Sequence, residues 1–159
     1  GIRIIATTDD VAMAAGPLFP PDVYAEQILP SFRRAIQGFK APGSLTVKHC
    51  DGNVLPLVEH WIDAGIDCLD PVDPGAGLTL SGMKAKYGGR IALKGNVDCV
   101  TTLCTGTPDE VLDEVRRCIA DGGPGGLVVS SSNTIHRGVR PENYRALLEA
   151  LRTYGTYTK

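Results

Sequence analysis

The feature that most restricts the possible folds is the regular alternation of short apolar segments with longer amphipathic ones. Each short segment is apolar throughout, without the polar alternation of a half-exposed strand. A strand of this type is buried on both faces, which is typical of a parallel sheet covered by helices. The pattern predicts an α/β fold with strands at residues 3–7, 45–48, 67–69, 91–94 and 126–130.

Helix signals fill the intervals between these strands. The first helix begins after Pro21, and Pro30 is expected to kink or split it. Gly65 is predicted to cap the C-terminus of the second helix, and Thr107 begins a capping box with Glu110. The predicted helices cover residues 22–39, 54–64, 80–87, 108–120 and 141–154.

No glycine-rich phosphate-binding motif, GxGxxG or GxxxxGK[ST], follows any of these strands. A nucleotide-binding doubly wound sheet therefore lacks support, and a (β/α) barrel fits the order of elements better. About five βα units are too few to close the usual eight-stranded barrel. We interpret residues 1–159 as a single partial domain, the C-terminal part of a (β/α)8 TIM-type barrel whose N-terminal half is absent. The start at Gly1, without an initiator Met, suggests a cut inside a larger protein.

Charge and cysteine content bear on the partners and the location. The net charge is -2 and the pI is about 5.9, so no basic surface is predicted for nucleic acid or for an anionic membrane. No apolar segment is long enough to span a bilayer. The five cysteines are scattered without a CxxC pair, which favours reduced thiols and a cytoplasmic location.

A histidine and an aspartate lie two residues apart where the second strand ends. His49 and Asp51 follow the apolar residues 44–47 and precede an amphipathic helix. In parallel α/β folds, the carboxyl ends of the strands form the edge at which ligands bind. A helix cap, with Gly52 allowing the turn, is an alternative role for Asp51 but leaves His49 unexplained. We predict His49 and Asp51 as catalytic residues, together with Asp10 at the end of the first strand.

Polar side chains that follow the later strands are predicted to bind the substrate: Asn96, Asp98, Asn133 and His136. Each has a structural alternative. Asp98 is suited to capping the turn after Asn96, and Asp10 to holding its own loop through local hydrogen bonds. Asn133 and His136 lie in a loop that contains serine and glycine, where flexibility alone explains the composition.

Carboxylates outnumber cations among these strand-end residues. A site built for a polycarboxylate substrate would present arginines and helix N-termini instead. The acidic edge therefore favours a metal ion, or a neutral or cationic small molecule, unless the absent half supplies the arginines.

Several short stretches match the pattern of one protein family when they are taken together, although none of them is specific alone. They are His49-Cys50-Asp51-Gly52-Asn53, Ala64-Gly65-Ile66-Asp67, Gly95-Asn96-Val97-Asp98, Gly106-Thr107-Pro108-Asp109-Glu110-Val111, Ile135 with Arg140-Pro141-Glu142-Asn143, and Tyr154-Gly155. Through them the chain, from about Ile5 to its end, resembles the uroporphyrinogen decarboxylase superfamily. That superfamily contains decarboxylases of haem biosynthesis and zinc-dependent methyltransferases that act with cobalamin-carrying proteins. The resemblance implies a barrel longer than this chain.

The chain departs from the patterns of both branches. The methyltransferase branch holds zinc with a His-x-Cys pair and a later Cys, whereas this chain has His49-Cys50-Asp51 and, at the later position, Asn133. Oxygen ligands are harder than thiolates, which weakens the support for a zinc-activated thiol acceptor. His49 and Asp51 stay the candidate metal ligands, with zinc as the candidate ion. The decarboxylases place a His near Asn133 and use an N-terminal segment with Arg and Asp, which this chain lacks.

Four functions are compatible with these observations. The first is a uroporphyrinogen decarboxylase-like enzyme that decarboxylates a porphyrinogen-type or related small acid. The second is zinc-dependent methyl transfer between a corrinoid carrier protein and a small acceptor. The third is a non-catalytic half-barrel whose exposed sheet edges drive self-association into a homo-oligomer. The fourth is a binding module without catalysis.

Overall fold

The computed structural model describes residues 1–156. Its strands are β1 (Ile4–Thr8), β2 (Ala12–Met13), β3 (Gly16–Pro17), β4 (Leu45–His49), β5 (Cys68–Val72), β6 (Ala92–Val97) and β7 (Leu127–Ser131). The main sheet is parallel and has the order β1-β4-β5-β6-β7, while β2 and β3 form a small antiparallel pair. The five predicted strands are confirmed, although β5 continues to Val72, beyond the predicted end at residue 69.

The helices alternate with the strands of the main sheet. They are α1 (Pro21–Val23), α2 (Leu29–Lys40), α3 (Val58–Ala64), α4 (Leu80–Tyr87), α5 (Thr102–Thr105), α6 (Pro108–Gly122) and α7 (Pro141–Tyr154). The cap at Gly65, where φ is +100°, and the capping box of Thr107 and Glu110 are confirmed. Between residues 1 and 156, none of the helices has the length and apolar content that crossing a bilayer requires.

A π-helical turn, Tyr24–Ile28, lies between α1 and α2 within the first predicted helix. The N–H of Leu29 donates to the carbonyl of Tyr24, five residues earlier. Pro30 has no N–H to donate, so the usual four-residue spacing would lack one hydrogen bond at this point. The interruption expected at Pro30 therefore takes the form of a wider helical turn just before it.

The second helix begins later than predicted, at Val58 rather than at residue 54. The preceding residues form a turn in which the N–H of Leu57 donates to the carbonyl of Val54 over 2.8 Å. Pro56 provides the physical reason, because a proline disfavours helical backbone at the residue before it, here Leu55.

The helices cover one side of the main sheet. α2 packs on β4, α4 on β6, and α6 on both β6 and β7. Trp61 and Tyr24 are fully buried on this side, whereas Ile4, Leu45 and Val128 on the strands are 62%, 54% and 50% exposed. Parallel strands with helices outside and an open inner face are the arrangement of a partial TIM-type barrel, as the sequence predicted.

Candidate active site

The strand register brings three segments of the chain to the same edge of the sheet. Thr8 at the end of β1 pairs with His49 at the end of β4, and His49 pairs with Asp70 in β5. Asp9 and Asp10 follow directly after β1. Because all strands of this sheet run in one direction, the polar side chains of these segments collect at its carboxyl end.

The three residues predicted to be catalytic form one cluster. Nε2 of His49 lies 3.6 Å from Oδ1 of Asp51 and 3.9 Å from Oδ1 of Asp10. The backbone N–H of Asp51 donates to Oδ1 of Asp10 over 3.0 Å, which ties the segments after β1 and β4 together. Each residue has a potential ligand atom, and these atoms lie within 4.8 Å of one another. The arrangement presents an imidazole nitrogen to two carboxylates.

Asp70 orients His49 through the other ring nitrogen. Its Oδ2 lies 3.2 Å from Nδ1 of His49, and its Oδ1 accepts a hydrogen bond from Nζ of Lys94 at 2.7 Å. A hydrogen bond to a carboxylate keeps the proton on Nδ1. In the neutral ring, Nε2 therefore presents its lone pair to Asp10 and Asp51.

Sequence reasoning missed Asp70 and Lys94. The predicted third strand ends at residue 69, so Asp70 falls outside it, whereas β5 extends to Val72. Lys94 is the last residue of the predicted fourth strand and is not among the predicted site residues. The sequence signal that could reveal them is an acidic residue next to one apolar strand and a basic residue in the neighbouring one. Such ionisable groups are rarely buried without a partner of opposite charge.

These contacts shift two pKa values in opposite directions. The hydrogen bond to Asp70 raises the pKa of His49; burial opposes the rise, and the charges of Asp70, Asp51 and Asp10 reinforce it. Burial raises the pKa of Asp70, but hydrogen bonds from His49 and Lys94 outweigh it, so this pKa is lowered. In the metal-free protein, His49 and Asp70 therefore favour the imidazolium–carboxylate form.

Lys48 fixes the segment that carries Asp10. Its side chain is fully buried, and Nζ donates to the backbone oxygen of Asp9 at 2.8 Å and to Oδ1 of Asp9 at 2.5 Å. Nζ also lies 5.0 Å from the centre of the Trp61 ring. Successive residues of a strand point to opposite faces, so β4 directs Lys48 toward the helices and His49 toward the cluster.

Gly52 allows the β2–β3 pair to lie against the cluster. Its φ is +88°, and a Cβ at this position would lie 2.7 Å from the carbonyl carbon of Met13. The next residue, Asn53, donates its N–H to the carbonyl oxygen of Met13 over 2.9 Å. A left-handed backbone in close contact with another segment favours glycine. Gly52 therefore permits the close approach of the β2–β3 pair next to Asp51.

Asn133, in the loop after β7, also reaches the cluster. Its Nδ2 donates to Oδ2 of Asp51 at 2.8 Å. Asp51 is not the cap of the following helix, because α3 begins after Leu57 and has no side-chain cap. Within residues 1–156, Oδ1 of Asp51 is buried and has no hydrogen-bond partner. A buried oxygen in that state is costly, and a bound cation would satisfy it.

The donor atoms of the cluster fit a divalent cation. Asp10, His49 and Asp51 supply one imidazole nitrogen and carboxylate oxygens, which suit zinc as well as harder divalent ions. A histidine ligand usually donates its second ring N–H to a carboxylate, and Asp70 is placed for that bond.

Three of the predicted substrate-binding residues lie away from this cluster. The buried side chain of Asn96 donates to the carbonyl oxygen of Val72 at 2.8 Å. Oδ1 of Asp98 accepts from the N–H of Thr101 at 2.9 Å and holds the turn before α5, as in the structural alternative. His136 lies exposed in the loop after β7. Their role in substrate binding stays a prediction.

The parallel strands, the outer helices and the polar cluster at the carboxyl ends of the strands define part of a (β/α)-barrel protein with a strand-end site. The profile of the family described as Uroporphyrinogen decarboxylase (URO-D) matches residues 1–154. The chain belongs to this family, which confirms the resemblance noted in its sequence.

Curated relatives carry two kinds of name. Uroporphyrinogen decarboxylases from Psychromonas ingrahamii and Actinobacillus succinogenes are 28% and 33% identical over 130 and 132 residues, which are 80% and 82% of this chain and 34% and 35% of theirs. A methylated-thiol–coenzyme M methyltransferase from Methanosarcina mazei is 26% identical over 150 residues, 94% of this chain and 38% of that protein.

A solved structure, described as a methyltransferase from Methanosarcina mazei, has the same fold. It matches with a TM-score of 0.79 and 26% identity, over 98% of this chain and 43% of that chain. The chain thus spans 34% to 38% of the length of these curated relatives.

Proposed function

We propose that this chain belongs to an enzyme in which a divalent cation, held by Asp10, His49 and Asp51, supports methyl transfer to a small acceptor. The observation that carries the proposal is the convergence of these side chains around the buried, unpartnered Oδ1 of Asp51. The similarity to the methyltransferase from Methanosarcina mazei supports methyl transfer as the reaction. As the methyl donor, we propose a corrinoid carrier protein.

Each residue of the cluster has a separate task in this proposal. Asp70 holds a proton on Nδ1 of His49 and so leaves Nε2 for the cation. Asp10 and Asp51 supply negative charge that offsets the charge of the cation, and Asn133 holds the second oxygen of Asp51. When bound, the cation supplies Lewis acidity, which lowers the pKa of the acceptor's reacting group.

The proposed reaction balances without an external oxidant or reductant. The acceptor's heteroatom loses its proton to solvent and forms a bond to the methyl carbon. The bond between the methyl carbon and the corrinoid cobalt breaks, and its electron pair stays on the cobalt. The chain's residues bind and orient the acceptor at the carboxyl edge of the sheet.

Decarboxylation of a porphyrinogen-type or related small acid is the second candidate, and family membership is the observation that favours it. His49 would then act as the acid: the bond to the carboxyl carbon breaks, carbon dioxide leaves, and the remaining carbon takes the proton of His49. The hydrogen bond to Asp70 raises the pKa of His49, which suits this role. The acidic cluster opposes a polycarboxylate substrate unless arginines are contributed from outside this chain.

Elemental mass spectrometry tests the metal site. We expect about one divalent ion per chain after incubation with zinc, and loss of the ion in His49→Ala and Asp51→Ala. His60→Ala is the matched control, because His60 lies on α3, outside the cluster, and this variant should keep the ion. Wild-type protein without an ion, or both variants with a full complement, would refute the proposal.

A reaction assay separates the two candidates. Methyl transfer predicts that a small thiol demethylates methylcobalamin in the presence of the protein, which the absorbance of the corrinoid reports. Decarboxylation predicts release of carbon dioxide from a small acid and no change in methylcobalamin. Asp51→Ala should abolish the first reaction, because the cation would be lost.

A further inference from the structure

A cavity of about 300 Å³ opens beside the cluster. It is bounded by His49, Asp70 and Lys94 on the strands, by Ser131 at the end of β7, and by residues 132–135 of the following loop. His49 and Lys94 therefore face the same space, and the carboxylate of Asp70 joins them through one oxygen each. A small molecule in this cavity would contact the cluster at one end and the ammonium group of Lys94 at the other.

Lys94 has hydrogen-bonding capacity that the described residues do not use. An ammonium group carries three N–H donors, and Nζ donates to Oδ1 of Asp70 at 2.7 Å. Between residues 1 and 156, no second acceptor lies within hydrogen-bonding distance of Nζ, and its side chain is 34% exposed. The remaining donors are thus free for a ligand in the cavity.

The polarity of the cavity wall agrees with an anionic ligand group next to Lys94. Ser131 at the end of β7 and Thr134 in the following loop contribute hydroxyl groups, and Asn133 contributes an amide. The carboxylates of Asp10 and Asp51 lie at the cluster instead. Asp70 is already bonded through both oxygens. The carboxylate of a ligand would therefore accept hydrogen bonds from Lys94 and would not face an unpaired negative charge at Asp70.

We propose that Lys94 binds the carboxylate of the substrate, so that the enzyme acts on a small organic acid whose reacting group faces His49. This inference rests on the proposed function, since it identifies the substrate class of the same site. It departs from the expectation of a neutral or cationic ligand that was drawn from the acidic edge, because Lys94 adds a positive charge to the site. Lys94 lies inside β6, whereas the predicted fourth strand ends at this residue.

Binding of two matched probes tests the proposal. 3-Mercaptopropionate and 3-mercaptopropionamide have the same chain and thiol and differ in charge at the far end. Isothermal titration should show that the wild-type protein binds the acid about tenfold or more tightly than the amide, because a charge-assisted hydrogen bond is made with the acid alone. Lys94→Met should bind the two probes equally, and Lys94→Arg should restore part of the preference.

Lys86→Met is the control variant, because Lys86 is a solvent-exposed lysine on α4 and does not line this cavity. It should keep the preference for the acid. A preference that survives in Lys94→Met, or no preference in the wild type, would overturn the proposal.

The metal content of the same samples separates this proposal from the function on which it rests. Lys94→Met should keep the ion; if it loses the ion, Lys94 acts by holding Asp70 and His49, and the substrate-binding role is overturned. A wild-type protein that holds no ion but still prefers the acid would remove the metal-dependent function and support the role of Lys94.

Discussion

The carboxylate of Asp70 lies 3.2 Å from Nδ1 of His49, while Nε2 of the same ring faces Oδ1 of Asp51 at 3.6 Å. His49 is thus held between a buried carboxylate in the neighbouring strand and the carboxylates at the strand ends. The first of these contacts sets the tautomer and the orientation of the ring. The second makes the remaining nitrogen available to a ligand.

Asp70→Asn should weaken binding of the cation without removing any ligand. Loss of the carboxylate frees the ring to rotate and to change tautomer, and substitutions of this kind typically cost about 10–100-fold in metal affinity. Competition with a chromogenic chelator measures the affinity. Asp63→Asn, an exposed change on α3, is the control and should match the wild type. An unchanged affinity in Asp70→Asn would show that Asp70 does not orient His49.

The titration of His49 should depend on Asp70. In metal-free protein, NMR should place the pKa of His49 above its ordinary value of 6.5, mainly because of the hydrogen bond to Asp70, and Asp70→Asn should lower it. Since the folded state raises this pKa, protonated His49 contributes stability that is complete below pH 6.5 and is lost as the pH rises through the folded value.

The cation competes with the proton at His49, so its binding should weaken on acidification. A pKa of His49 that is equal in the wild type and in Asp70→Asn would contradict the prediction.

Gly52→Ala should destabilise the fold by about 1–3 kcal/mol, because the φ of +88° strains any residue with a side chain. The new Cβ would also meet the carbonyl carbon of Met13 at 2.7 Å and push the β2–β3 pair away. Denaturant unfolding measures the change. Gly38→Ala is the matched control: Gly38 lies in α2 with nothing near its Cβ position, and this change should stabilise by about 0.5–1 kcal/mol.

We further propose that a polypeptide of residues 1–159 self-associates, because Ile4, Leu45 and Val128 expose apolar surface on the side of the sheet away from the helices. Light scattering should give the mass of a dimer or a larger oligomer, and Leu45→Lys should shift the mass toward a monomer. Val23→Lys, on the helical side, is the control. A monomer at high concentration in the wild type would rule this proposal out.

The sequence predicted the parallel sheet because its strands are apolar throughout, and such runs leave few other folds. It also predicted that Asp10, His49, Asp51 and Asn133 would lie at one edge, since parallel strands end together. Their mutual distances were not predictable, because they depend on Lys48 and on the turn at Gly52, which act between segments remote in sequence.

Asp70 and Lys94 show where reasoning from single segments fails. The predicted third strand ends one residue before Asp70, and Lys94 is predicted only as the last residue of the fourth strand. Their importance arises from the register between β5 and β6, which places an acid beside a base in the interior of the sheet. Likewise, Pro56 delayed the start of α3 by acting on the residue before it.

The adjacent residues Lys48 and His49 of β4 link the helical layer to the candidate active site. Nζ of Lys48 lies 5.0 Å from the centre of the Trp61 ring and donates a hydrogen bond to Oδ1 of Asp9, the residue before Asp10. A substitution in the helical layer that let Lys48 shift would therefore move an acidic group of the site without touching it. Substitutions in the helical layer can therefore change the position of Asp10, and with it the properties of the site, while every residue that faces the ligand stays the same.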